Sequence, residues 1–234
     1  MSEFDYYAPD YDLALNRGLS ISGEDKNFFA KGRVDWLSRC LKELTFAPKR
    51  LLDFGCGTGT STPFLVEALA AESIVGVDLS TKSLEVARQI HSGLPIEYKL
   101  STEYIPKKAI DLVFCNGVFH HIAPEYRRDA LKYIVDCLRP GGLFALWENN
   151  PWNPGTRYIM SKIPFDKDAI TLSARAARRL AESVGLRIVR TDYCFFFPRI
   201  LRNMRRVEHH LVRLPFGAQY QVLCQKSVDD VGVR

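Results

Sequence analysis

The sequence contains no CxxC pair: Cys40, Cys56, Cys115, Cys137, Cys194 and Cys224 are scattered through 234 residues. Zinc and dithiol redox sites draw on local ligand pairs, and disulfide frameworks belong to smaller secreted chains. The six are therefore expected to be buried or half-buried thiols in a reducing compartment. No uninterrupted apolar run approaches the roughly 18 residues that span a bilayer. The opening Met-Ser-Glu-Phe-Asp-Tyr-Tyr is acidic and aromatic, unlike the basic-then-apolar form of a secretory signal. Internal repeats, low-complexity tracts and linkers are also missing. These absences lead to the expectation of a cytoplasmic protein with a single domain over residues 1–234.

What is present is the composition of a globular chain, 47% hydrophobic and 25% charged, long enough for a sizeable core. The net charge of +5 is unevenly placed. Arg199, Arg202, Arg205, Arg206 and Arg213 face only Glu208 in their stretch, whereas the first 26 residues carry six acids against Arg17 and Lys26. Local basic excess of this kind points to nucleic acid or an anionic membrane only weakly. Ile200, Leu201, Met204, Val207, Leu211 and Leu214 add a roughly helical apolar spacing. Residues 199–214 are thus expected to form an amphipathic helix on a sheet edge, leaving peripheral membrane contact open there.

Short apolar runs alternate with helical patterns. Strands are expected at 50–54, 74–78, 96–100, 111–115, 143–147, 186–197 and 218–226. Helices are expected at about 28–44, 61–71, 83–91, 125–138 and 173–184, with Pro140-Gly141-Gly142 as a breaker. Such alternation builds βαβ units with right-handed crossovers. The expected fold is α/β, a doubly wound and mostly parallel seven-stranded sheet with an antiparallel C-terminal strand pair. Ligands of such sheets bind beyond the carboxyl ends of the strands. Those ends carry Asp53 with Gly55, Gly57 and Gly59, then Asp78, then Ser101-Thr102-Glu103, then Asn116, His120 and His121, then Glu148, Asn149, Asn150 and Trp152.

The glycine spacing is Gly55-x-Gly57-x-Gly59, which departs from the G-x-G-x-x-G of dinucleotide oxidoreductases. D-x-G-x-G-x-G with an acid closing the next strand resembles the class I S-adenosylmethionine-dependent methyltransferase family. The resemblance extends through Asp111-Leu-Val-Phe-Cys-Asn116, the His-His pair and Leu138-Arg-Pro-Gly-Gly-Leu143, over residues 45–225. It implies a Rossmann-like methyltransferase fold and S-adenosylmethionine as cofactor, with S-adenosylhomocysteine as product. Residues 1–45 then form an N-terminal cover, 46–150 the cofactor-binding half, and 151–234 the substrate side with a basic insert at 198–217. By the same resemblance, Gly55, Gly57 and Gly59 approach the methionine portion, Asp53 its amino group, Asp78 the ribose and Leu79 the adenine. Thr102 stands where many members hold the adenine amine, and Asn116 lies beside the sulfonium.

For the acceptor, the stiff segment Glu148-Asn-Asn-Pro-Trp-Asn-Pro154 faces the strand-end cleft, so Asn149, Asn150 and Trp152 are expected to contact substrate, with Tyr7 and Tyr11 covering it. His120, His121 or Glu148 is expected to take a proton from the nucleophile. No metal is expected, because no third ligand is spaced near the histidine pair. A small-molecule acceptor methylated at O, N or C is the expectation. Lipid-linked and nucleic-acid substrates, or binding without catalysis, are the alternatives, and a dedicated nucleic-acid module is missing.

Overall fold

The computed structural model describes Asp5 and residues 11–228, so the expectation for Tyr7 lies outside the described residues. Helices α1 (Tyr11–Leu19) and α2 (Lys26–Glu43) precede strand β1 (Arg50–Phe54). The chain then alternates through α3 (Thr62–Leu69), β2 (Ser73–Asp78), α4 (Thr81–Ile90), β3 (Ile96–Leu100), β4 (Ile110–Asn116), α5 (Arg127–Cys137) and β5 (Leu138–Asn149). It ends through α6 (Pro154–Met160), α7 (Ala174–Glu182), β6 (Leu186–Cys194), the short α8 (Glu208–Leu211) and β7 (Gln219–Lys226). Tyr11 opens α1, but its side chain is not among those described.

The seven strands lie in the order β3-β2-β1-β4-β5-β7-β6. The first four pairings are parallel, while β7 runs antiparallel to both β5 and β6. The fold is the α/β sheet expected, with its antiparallel C-terminal pair. Each central strand is apolar on both faces because helices cover both. Leu51, Leu112, Phe114, Trp147 and Leu223 meet Val34, Leu37 and Leu41 of α2 and Leu65 of α3. Their neighbours Leu52, Val113, Phe144, Leu146 and Val222 meet Leu131 and Ile134 of α5 and Ala177 and Ala181 of α7. All six cysteines are free and buried.

Local chemistry sets the helix starts. Asp25, Ser80, Asn153 and Ser173 each accept a hydrogen bond from a backbone N–H in the first turn of the helix that follows. Three expectations are corrected. Pro140-Gly141-Gly142 lies inside β5 as an irregularity, its register on β4 shifting between Ile110 and Leu112. The sixth strand stops at Cys194, because Phe195 adopts φ of 63° and extended pairing cannot continue through a left-handed residue.

The basic segment is no regular helix either. It is a 3₁₀ stretch over Arg199–Val207 with a non-helical Leu201, followed by α8. Its arginines hold it against the α1–α2 connection: Arg199 Nη1 donates to Gly23 O at 3.2 Å, and Arg205 Nη1 to Glu24 Oε1 at 2.9 Å. The Arg205 guanidinium also lies 4.5 Å from the Phe28 ring centre. Ile200, Met204 and Val207 are left exposed. Among the described residues, no helix is long and apolar enough to cross a membrane.

Candidate active site

The strand order reverses between β1 and β4, and the loops leaving these two strands open a crevice at the carboxyl edge. Gly55 has φ of +70°, and a Cβ there would come within 2.2 Å of Val118 Cγ2 in the loop after β4. Only glycine lets the two loops close on each other at this point. Gly57 also has positive φ, but a Cβ there would meet nothing within 4 Å. Its backbone therefore faces open space, in a cavity of about 160 Å³.

Two carboxylates flank the loop. Asp53 is 3% exposed and accepts from Thr62 Oγ1 at 2.7 Å. Burial pushes its pKa up to about 7, against the Thr62 hydrogen bond. Asp78 accepts from the Gly57 N–H at 2.9 Å and from the Ser80 N–H at 2.8 Å, tying the end of β2 to the glycine loop. Burial raises its pKa too, opposed by these backbone bonds. A carboxylate offers about four acceptor positions, so both acids retain capacity for a ligand. Leu79 is 66% exposed beside Asp78. Thr102 is exposed in the turn after β3, where Ser101 N donates to Asp78 O at 2.9 Å.

The opposite wall carries a cluster of ionisable groups. One turn of 3₁₀ helix, Phe119–His121, follows β4 and stacks the two imidazoles with ring centres 4.1 Å apart. Glu148, buried at the end of β5, accepts the Phe119 N–H at 2.8 Å through one oxygen. Its other oxygen lies 2.5 Å from His120 Nδ1. Asp166, in the 3₁₀ turn Pro164–Asp166, places Oδ1 3.5 Å from His120 Nε2 and 3.3 Å from His121 Nε2. Burial works to lower the His120 pKa, but the charges and hydrogen bonds of Glu148 and Asp166 push it up to about 10. His120 is therefore an imidazolium at neutral pH. His121, partly exposed, lines the cavity with Asp166.

The remaining lining includes Asn116, Lys26, Arg33 and Asn149. Arg33 Nη1 donates to Gln219 Oε1 at 3.0 Å, and Gln219 Nε2 to Asn149 Oδ1 at 3.1 Å, so Asn149 ends a polar relay. Two of the residues expected to touch substrate do not line the cavity. Asn150 is fully buried, donating to Pro215 O and Gly217 O and accepting from Trp152 N, which anchors the loop. Trp152 is 76% exposed and points away. Sequence reasoning missed Asp166, which lies 45 residues beyond His121 and carries no local motif. It also missed Arg33, which lies on the buried face of α2 between Phe29 and Leu37.

Residues 52–144 match the family model described as a methyltransferase domain. Over that stretch the chain is similar to class I S-adenosylmethionine-dependent methyltransferases. Among curated relatives, the trans-aconitate 2-methyltransferase of Acidovorax sp. (strain JS42) is 32% identical over 100 residues, 43% of this chain and 38% of the relative. The protein of the same name from Sinorhizobium fredii (strain NBRC 101917 / NGR234) is 30% identical over 129 residues, 55% and 49% of the two chains. The matches thus span less than half the length of these relatives.

Among solved structures, a putative sarcosine dimethylglycine methyltransferase from Galdieria sulphuraria superposes with a TM-score of 0.60 at 18% identity, covering 83% of this chain and 85% of that one. An S-adenosylmethionine-dependent methyltransferase from Mesorhizobium loti gives 0.58 at 18% identity, with 77% and 91% covered. At these identities the structures speak for the fold alone.

Proposed function

We propose that the chain binds S-adenosylmethionine along the glycine loop and transfers its methyl group to a nucleophile of a small-molecule acceptor held in the cavity. The observation that carries this reading is that the open face of Gly57 and the His120–His121–Asp166 cluster line one cavity. When bound, the cofactor supplies a methyl group on a sulfonium, and alignment with the nucleophile is the main task left to the protein. Asp53 meets the amino group of the methionine portion, and Asp78 accepts from both ribose hydroxyls. Leu79 covers the adenine, Thr102 lies at its rim, and Asn116 borders the reacting centre.

On the acceptor side, His121 is the proton acceptor, oriented by Asp166. His120 already carries its proton, and Glu148 is buried behind it and does not line the cavity, so these two position the cluster rather than take the acceptor's proton. Lys26 and Arg33 in the lining favour an anionic acceptor such as a carboxylic acid. The relatives named trans-aconitate 2-methyltransferase agree with that class, although the matched domain region, 52–144, leaves out the acceptor-side elements after β5. The test is calorimetric titration with S-adenosylhomocysteine, followed by methyl transfer to a panel of small carboxylic acids, trans-aconitate included. Absence of S-adenosylhomocysteine binding at millimolar ligand would sink the proposal.

Asp53 makes the binding pH-dependent. Its free-state pKa of about 7 means that half of the sites are neutral near pH 7, whereas the ligand's ammonium needs the carboxylate. Affinity for S-adenosylhomocysteine should rise from about pH 6 to about pH 8, by at most about tenfold per pH unit, and then level off. Asp53→Asn should bind more weakly, without this pH dependence. The stability effect has the opposite direction. An acid whose pKa is raised on folding costs stability as pH climbs from 3.8 toward 7. Asp53→Asn should therefore melt higher than the parent at pH 8, and an equal or lower melting temperature would contradict this account.

A further inference from the structure

His120, His121 and Asp166 each offer a ligand atom within 4.8 Å of the other two, although the three residues come from two separate turns. A first-row metal sits about 2.0 to 2.2 Å from such ligands, which places tetrahedral donors about 3.4 Å apart. The separations of 3.5 Å and 3.3 Å from Asp166 Oδ1 to the two imidazole nitrogens match that spacing.

A second observation points the same way. Metal-binding histidines almost always donate their other ring N–H to a carboxylate or carbonyl, which fixes the tautomer and aims the ligating nitrogen. Glu148 takes this place on His120: one oxygen receives Nδ1 at 2.5 Å, while the Phe119 N–H holds the other. Its carboxylate leaves Nε2 pointing at Asp166 and His121, and a metal ion there takes the place of the proton that Nε2 otherwise carries. Charge agrees as well, since Glu148 and Asp166 are both buried acids gathered around the imidazoles. Finally, His120, His121 and Asp166 all line the cavity, so an ion held by them keeps open positions toward its interior.

We propose that His120, His121 and Asp166 form a binding site for one divalent first-row transition metal ion, open toward the acceptor cavity. Two imidazoles and one carboxylate with free positions suit zinc, iron or cobalt better than magnesium or calcium, which take oxygen ligands. With the ion bound, His121 is a ligand rather than the proton acceptor; the ion would hold an oxygen of the acceptor beside the cofactor, a role that rests on the methyltransferase reading, whereas the site itself does not.

The experiment is titration of the full chain, stripped with chelator, with Co²⁺ monitored by visible absorption and with Zn²⁺ monitored by calorimetry. Uptake of one equivalent of Co²⁺ with the ligand-field bands of nitrogen coordination is expected. Affinity should fall at least about tenfold in His121→Ala and in Asp166→Asn, both checked for native circular dichroism. His210→Ala should bind as the parent does, which separates the cluster from the second stacked histidine pair, His209 and His210. No uptake, or uptake unaltered in both cluster variants, would overturn the proposal. S-adenosylhomocysteine is titrated into the same samples. If it binds where Co²⁺ does not, only the metal site falls. One equivalent of Co²⁺ lost in the cluster variants, without nucleotide binding, upholds the site and removes the methyltransferase reading.

Discussion

Asp78→Ala should abolish measurable binding of S-adenosylhomocysteine. A carboxylate that accepts from both ribose hydroxyls makes two charge-assisted hydrogen bonds, each worth about 1.5 to 3 kcal/mol. Losing both weakens binding by roughly 10² to 10⁴-fold. The substitution also frees the Gly57 and Ser80 N–H groups that Asp78 now accepts from, so the glycine loop loses its tie to β2. In a thermal melt, ligand at 100 times Kd stabilises the parent by about 2.7 kcal/mol. For a chain of this size that is a rise of roughly 5 to 10 °C. The variant should show no rise at the same ligand concentration. A full rise in Asp78→Ala would remove Asp78 from the binding site.

Glu148→Gln should be the most destabilising single change in the active-site wall. Its carboxylate is 1% exposed and touches His120, itself buried and positively charged. Removing one partner of a buried pair costs about 3 to 5 kcal/mol, and here it leaves the His120 charge to Asp166 alone, 3.5 Å away. In a chain of 234 residues this lowers Tm by roughly 6 to 20 °C. Denaturant unfolding of chelator-treated protein checks it, with exposed Thr102→Ala as the control expected to stay within about 0.5 kcal/mol. A cost below about 1 kcal/mol would show that His120 sheds its proton and does not depend on Glu148.

The glycine-loop side of the cavity was legible because its signals are local. Gly55, Gly57 and Gly59 follow a strand directly, and Asp78 ends the next one, so strand periodicity alone carries all four to one edge of the sheet. The acceptor side depends on contacts across the fold. Asp166 joins His121 only because α6 and the turn after it bring the chain back over the cavity. Arg33 reaches Gln219 across 186 residues, a distance no helical period encodes. Asn150 misled because a buried loop anchor and a substrate contact use the same side chain. Only the occupied Pro215 and Gly217 carbonyls tell them apart. Phe195 misled because nothing in Cys-Phe-Phe-Phe announces a left-handed turn.

The position of β7 has a consequence for the order in which the protein can form during synthesis. Strands β1 to β5 each find a neighbour among residues made before them or soon after, so that half of the sheet can assemble as it emerges from the ribosome. β6 cannot join it, because β7 lies between β5 and β6 and follows both in sequence. Until residues 219–226 are available, one edge of β5 stays unpaired along a stretch that includes Phe144, Leu146 and Trp147, all buried in the finished fold. An unpaired apolar edge is a template for joining other chains. The nascent protein thus passes through an interval of aggregation risk that begins when β5 is made and closes only with β7. Translation speed between these two points should therefore affect the soluble yield more than translation speed anywhere earlier.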